Sequence, residues 1–282
     1  MTRFGERVRA VLDDRGPLCV GIDPHVALLG QWGLDASASG AREFGLRVVE
    51  AVAPSTGIVK PQVSFYERYG SAGYAALEEV LAAARAAGLL VIADAKRGDI
   101  GTTMDAYADA WLTPGSPLEA DAMTANPFLG TGALTHTFEL AEAHDKGVFV
   151  LAATSNPDAL AGQRARLADG STVSAHIVAE VSARNAEHTP AGEWASLGFV
   201  IGGTVDLADA GLEAYSPPAP ILAPGFGHQG ADIADLGRFG RAEPWVVASE
   251  SRSILSAGRD GIADAVSARA NEYRRHRSLS HR

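Results

Sequence analysis

The sequence has a single cysteine, Cys19, set inside an apolar run. One thiol excludes an internal disulfide and a cysteine-based zinc site. It reads as a small buried hydrophobe in a reducing compartment. Positive charge is scarce too: Lys and Arg total 24 against 34 Asp and Glu, a formal net charge of −10. That balance argues against nucleic acid and against an anionic membrane surface as partners. No stretch reaches the roughly 18 consecutive apolar residues of a membrane span. The opening Met1-Thr2-Arg3-Phe4-Gly5-Glu6-Arg7 lacks the apolar core of a signal peptide. A cytoplasmic protein is expected. The eight histidines form no HExxH or similar metal spacing, and no serine occupies a G-x-S-x-G elbow. Nothing asks for nicotinamide, flavin, pyridoxal phosphate or a metal, so no cofactor is expected.

What is present is alternation. Apolar runs rich in Val, Ile and Leu return eight times: Leu18 to Ile22, Gly57 to Lys60, Leu89 to Lys96, Ala120 to Thr124, Val148 to Ala153, Gly198 to Ile201, Ile221 to Ala223 and Trp245 to Ala248. Ala-rich helical stretches follow, near 38–53, 73–87, 102–112, 132–144 and 261–274. Repeated strand–helix units with no break in composition predict a single (β/α)8 TIM barrel over residues 1–282. An open doubly wound sheet is the runner-up, but Asp23-Pro24-His25, not GxGxxG, follows the first strand. Residues 155–195 read as an elaborated fifth connection, with a helix over 171–186. Residues 271–282, rich in Arg, read as a flexible basic tail.

In such a barrel all strand ends open on one mouth, where the active site sits. Those ends carry Asp23, Lys60, Asp94 with Lys96, Ser155, Gln229 and Arg252. Taken singly each has a plainer reading: Lys60 as a snorkelling surface lysine, Ser155 as a turn cap, Asn126-Pro127 as a turn. The richest stretch is Asp94-Ala95-Lys96-Arg97-Gly98-Asp99-Ile100. Strand residues two apart share a face, so Asp94 and Lys96 would point the same way. An ammonium held between carboxylates stays charged, which suits a proton donor and not a Schiff-base lysine. A solvated ion network is the plainer account of these residues. Pro224 to Asp232 is Gly-rich, and Ser249 to Ile254 supplies Arg252. Barrels bind phosphate with these two loops, through backbone N–H groups and a bidentate arginine.

The pattern resembles the orotidine 5′-phosphate decarboxylase family. Asp94 to Ile100 is similar to that family's D-x-K-x-x-D-I signature, with Lys60-Pro61-Gln62, Pro224 to Asp232 and Arg252-Ser253-Ile254 in order around it. The resemblance covers residues 15–265, and the long fifth loop is like the longer bacterial branch, type 2. It implies that Lys96 protonates C6 of the pyrimidine while Asp94 sits beside the departing carboxylate. Asp99 and Thr103 would reach the neighbouring subunit's site in a homodimer. Asp23 and Lys60 would hold the ribose hydroxyls, Ser155 the pyrimidine edge, and Gln229 and Arg252 the phosphate. Substrate would be orotidine 5′-phosphate and product UMP. Two other readings are weighed. One is a Mg²⁺-dependent sugar-phosphate lyase of the same suprafamily. The other is a non-catalytic nucleotide binder, which gains little from two carboxylates beside an anion.

Overall fold

Alternation along each strand builds the molecule. The structure, a computed structural model, describes residues 2–212, 215–228 and 230–280. Its strands are β1 (Leu18–Ile22), β2 (Ile58–Pro61), β3 (Leu90–Arg97), β4 (Ala122–Ala125), β5 (Gly147–Ala153), β6 (Leu197–Ile201), β7 (Ile221–Pro224) and β8 (Val246–Glu250). Each pairs in parallel with the next, and β8 closes on β1 through Leu18↔Ala248 and Cys19↔Ser249. The result is the expected closed (β/α)8 barrel. One set of alternate residues, including Cys19, Ile58, Leu90, Ile92, Phe149 and Val247, fills the interior. The other set, including Leu18, Val20, Val59 and Val91, packs outward with Phe44, Val48, Leu77 and Val80 of the helices Ala38–Val52 and Gly70–Ala86. Ser37 caps the first of these, its Oγ accepting from Gly40 N at 3.1 Å.

The floor of the barrel is closed by a helix that the sequence reading passes over, Phe4–Arg15. Its Phe4, Val8 and Leu12 recur every four residues and join the interior cluster. The Phe4 ring stands edge-on to Phe149 at 5.9 Å. It also lies where a Cβ on Gly147 would be, at 2.2 Å, so only glycine fits there.

Two expectations change and one holds. After β6 and β7 there is no full helix: β6 leads to the single turn Leu207–Ala210, and β7 to 3₁₀ turns over Ile233–Trp245. The fifth connection does carry a helix, Val173–His188, capped by Thr172 Oγ1 on Ala175 N at 3.0 Å. The basic tail does not fray at Arg274. The last helix runs Gly258–Ser280, because Ile262, Val266, Ala270 and Tyr273 form a buried stripe. Arg274 Nη1 donates to the carbonyl of Ser55 at 3.0 Å, and Arg277 Nη2 to Asp13 Oδ1 at 2.6 Å. His281 and Arg282 lie outside the described residues. Among those described, no helix is long and apolar enough to cross a membrane.

Candidate active site

The inward row of β3 reads Leu90, Ile92, Asp94, Lys96, apolar at the floor and charged at the mouth. Near its end the ladder to β4 shifts register between Ala93 and Arg97. Lys96 there takes a left-handed backbone, φ +49°, a conformation uncommon for a residue with a side chain. Thr124, inward on β4, holds this geometry. Its Oγ1 accepts from Lys96 N and donates to Asp94 Oδ1, both at 2.9 Å.

Asp94 sits between two cations. Lys60 Nζ is 2.9 Å from Oδ2, and Lys96 Nζ is 2.5 Å from Oδ1. Burial by itself would raise the Asp94 pKa. The charges and hydrogen bonds of Lys60 and Lys96 outweigh it and hold the carboxyl well below the usual carboxylate range. Lys60 is no snorkelling surface residue: its side chain is as buried as that of Asp94. Burial opposes its charge, but Asp94 and Asp23 overcome that and raise its pKa above the ordinary lysine value. The Lys96 side chain differs, being 45 % exposed against 8 % for Asp94. It is the solvent-facing member of the trio, at the cavity mouth. Beneath them the Cys19 thiol is wholly buried and pushed up to about 12 by desolvation, which outweighs the opposing charge of Lys60.

A cavity of about 320 Å³ opens above this trio. Leu151, Val200 and Leu222 give it an apolar wall, while Gly225, Phe226, His228, Ser251 and Arg252 form its far end. Asp23 lines it from the end of β1. One carboxylate oxygen accepts from Ser251 Oγ at 2.6 Å. The other, Oδ1, is buried with no hydrogen-bond donor and lies 3.9 Å from Lys60 Nζ. Ser155 lines the cavity on a segment clamped by Gln163. Thr154 N donates to Gln163 Oε1, and Gln163 Nε2 donates to Thr154 Oγ1, both at 2.9 Å.

At the far end Gly227 has φ +73°, and a Cβ there would stand 2.5 Å from Ser253 Oγ. Only glycine makes this turn at this height. Arg252 Nη1 lies 3.1 Å from His228 Nε2. His228 is exposed and lines the cavity. Gln229 lies outside the described residues. Asp23, Lys60, Asp94, Lys96, Ser155 and Arg252 thus converge on one cavity. Asp99 and Thr103 do not. Asp99 Oδ1 caps Ile100 N at 2.8 Å, and Thr103 is exposed on the first turn of the helix Gly101–Leu112. Within one chain Lys96 therefore has one carboxylate, and it is Asp94 that has two partners. Thr124, Ser251 and Gln163 are contacts that the sequence did not announce. Thr124 alone had a signal, standing two residues past inward Ala122. Among the described residues, no three His, Cys, Asp or Glu side chains group as metal ligands.

Residues 16–271 match the model of the orotidine 5′-phosphate decarboxylase / HUMPS family. The chain belongs to that family. Relatives bear this out. The chain is 50 % identical over 264 residues to an orotidine 5′-phosphate decarboxylase of Salinispora tropica, covering 93 % of each chain. It is 48 % identical over 267 residues to that of Streptomyces coelicolor, again covering 93 % of each. A crystal structure from Streptomyces avermitilis, described as a candidate orotidine 5′-phosphate decarboxylase, superposes with TM-score 0.90 at 46 % identity, over 98 % of this chain and 96 % of that one. The Leishmania donovani OMP decarboxylase structure superposes with TM-score 0.76 at 28 % identity, over 98 % and 99 %. Asp94 and Lys96, the first two charged residues of the stretch that resembles the family's signature, lie at the charged end of β3 and line the cavity.

Proposed function

We propose that this chain converts orotidine 5′-phosphate to UMP and CO₂, without metal or organic cofactor, as a cytoplasmic homodimer in pyrimidine biosynthesis. The observation that carries the reading is the Lys96 ammonium at the cavity mouth, paired with a buried carboxylate that Lys60 and Thr124 also hold. Its charge is aimed before any substrate arrives, so little reorganisation is needed during reaction.

In this reading the bond from C6 to the carboxylate carbon breaks, and its electron pair stays on C6 in the ring plane. No conjugated sink reaches that pair, so fixed charge must stabilise it. Lys96 does so and then gives its proton to C6; solvent restores the ammonium. Asp94 stays ionised beside the departing carboxylate. The open oxygen of Asp23 and the amine of Lys60 meet ribose hydroxyls, and Ser155 meets the pyrimidine edge. Arg252 and Gln229 take the phosphate, whose binding energy orders and desolvates the reacting end.

The homodimer reading is supported by what lies outside the cavity. Beside Asp99 and Thr103 the surface exposes Ile100 and Phe128, at 63 % and 89 %, with Leu129 and Tyr107. Apolar side chains grouped in this way mark an interaction surface. Asp99 of the partner subunit then supplies the second carboxylate for Lys96.

The test follows orotidine 5′-phosphate absorbance with purified protein in EDTA. Turnover should persist; loss on chelation would favour the Mg²⁺-dependent lyase reading. Lys96→Ala should lower CO₂ release by about 10²–10⁴-fold while UMP still binds. Full activity in that variant would falsify the assignment.

A further inference from the structure

Glu250 ends β8, and its carboxylate is fully buried. Oε1 accepts from Arg269 Nε at 2.7 Å and from Tyr273 OH at 2.6 Å. Oε2 accepts from Ser253 Oγ at 2.8 Å. The first two donors stand one turn apart on the last helix, and Ser253 belongs to the short helix Arg252–Leu255. The loop between β7 and the 3₁₀ turns passes close above. A Cβ on Gly227 would lie 2.8 Å from Glu250 Oε2. The Tyr273 ring stands edge-on to Phe226 at 6.3 Å between centroids. One buried charge therefore touches the last helix and both loops at the far end of the cavity, although none of Glu250, Ser253, Arg269 and Tyr273 lines it.

Taking a carboxylate wholly out of water is costly, and well-packed apolar groups often serve stability as well. What a buried ion with three directed donors adds is fixed geometry. We propose that Glu250, Tyr273 and Arg269 form a positioning cluster for the phosphomonoester grip. Through Ser253 it sets where Arg252 begins, and beneath Gly227 it sets the height of the Gly-rich turn. The last helix, whose basic end reads from sequence as a loose tail, is thereby a working part of substrate binding. This rests on reading the far end of the cavity as the phosphate site.

The experiment compares wild type, Tyr273→Phe and Glu250→Gln. The first variant keeps the ring on Phe226 and removes one hydrogen bond; the second keeps shape and removes charge. Kinetic constants for orotidine 5′-phosphate are measured together with competitive inhibition by UMP and by uridine, which lacks the phosphate. Both variants should raise KM and the UMP inhibition constant by about tenfold, the loss expected for a hydrogen bond to a charged group. Uridine inhibition should stay unchanged, and kcat should fall by less than KM rises, since the cluster touches no reacting atom and acts only through the phosphate that orders the reacting end. Equal weakening of UMP and uridine would overturn the proposal, because a structural brace acts on both. So would unchanged constants with a lowered melting temperature. Should Glu250→Gln fail to fold, Tyr273→Phe decides alone. A wild-type protein that neither turns over substrate nor binds UMP would instead sink the decarboxylase reading, a result distinct from competent wild type with unaffected variants.

Discussion

Asp94 serves two cations, and that makes it less replaceable than either. Asp94→Asn leaves Lys60 buried with only the distant Asp23 for a counter-charge. Removing one partner of a buried pair costs about 3–5 kcal/mol, which urea unfolding at pH 7 should show. Activity should fall with it, since Lys96 loses the carboxylate that aims it. The acid behaviour follows from the direction of the shift. The carboxyl is held below its usual range in the folded chain. Its stabilising contribution is therefore complete above roughly pH 4, the ordinary carboxylate range, and is lost as pH falls further. The stability gap between wild type and Asp94→Asn should be constant near neutrality and narrow in acid; a gap that widens in acid would contradict the assignment. Cys19 offers a separate check. A buried thiol pushed up to about 12 should resist iodoacetamide at pH 8 in the native protein and react once urea unfolds it.

At the scale of elements, the charged row of β3 is readable from ten residues because strand geometry repeats every two. The same rule places Asp94 and Lys96 together whether or not the fold is known. The barrel is legible for a similar reason: apolar runs return at intervals that only strand–helix units explain. Other parts are hidden for physical reasons. Phe4, Val8 and Leu12 are spaced through Glu6, Arg7 and Arg9, so the floor helix has no apolar run to betray it. Thr124 is a small hydroxyl in a strand that any barrel could contain. Gln163 ends a single helical turn, Leu160–Gln163, nine residues from the backbone it holds, and no periodicity links the two. Gln163→Ala should free the segment that carries Ser155, raising KM by about tenfold for two lost hydrogen bonds with little effect on melting temperature. Steady-state kinetics would show this, and an unchanged KM would count against the clamp.

For the whole molecule, the proposed homodimer has each cavity completed by the neighbour's Asp99. Symmetric pairing makes that loan reciprocal. Mixing inactive Lys96→Ala and Asp99→Ala chains should then restore activity, because each hybrid dimer regains one intact site. Recovery should track hybrid formation by native mass spectrometry, and its absence would exclude a shared site. The floor helix carries a consequence of another kind, in the order of synthesis. Phe4–Arg15 leaves the ribosome early, yet a Cβ on its Gly5 would lie 2.4 Å from the carbonyls of Trp194 and Ala195, so closely does it seat on that late segment. At about 5–20 residues per second, its apolar stripe waits roughly 10–40 s for a seat. Nascent chains stalled short of Trp194 should be nicked by protease near Phe4, and those released at full length should not.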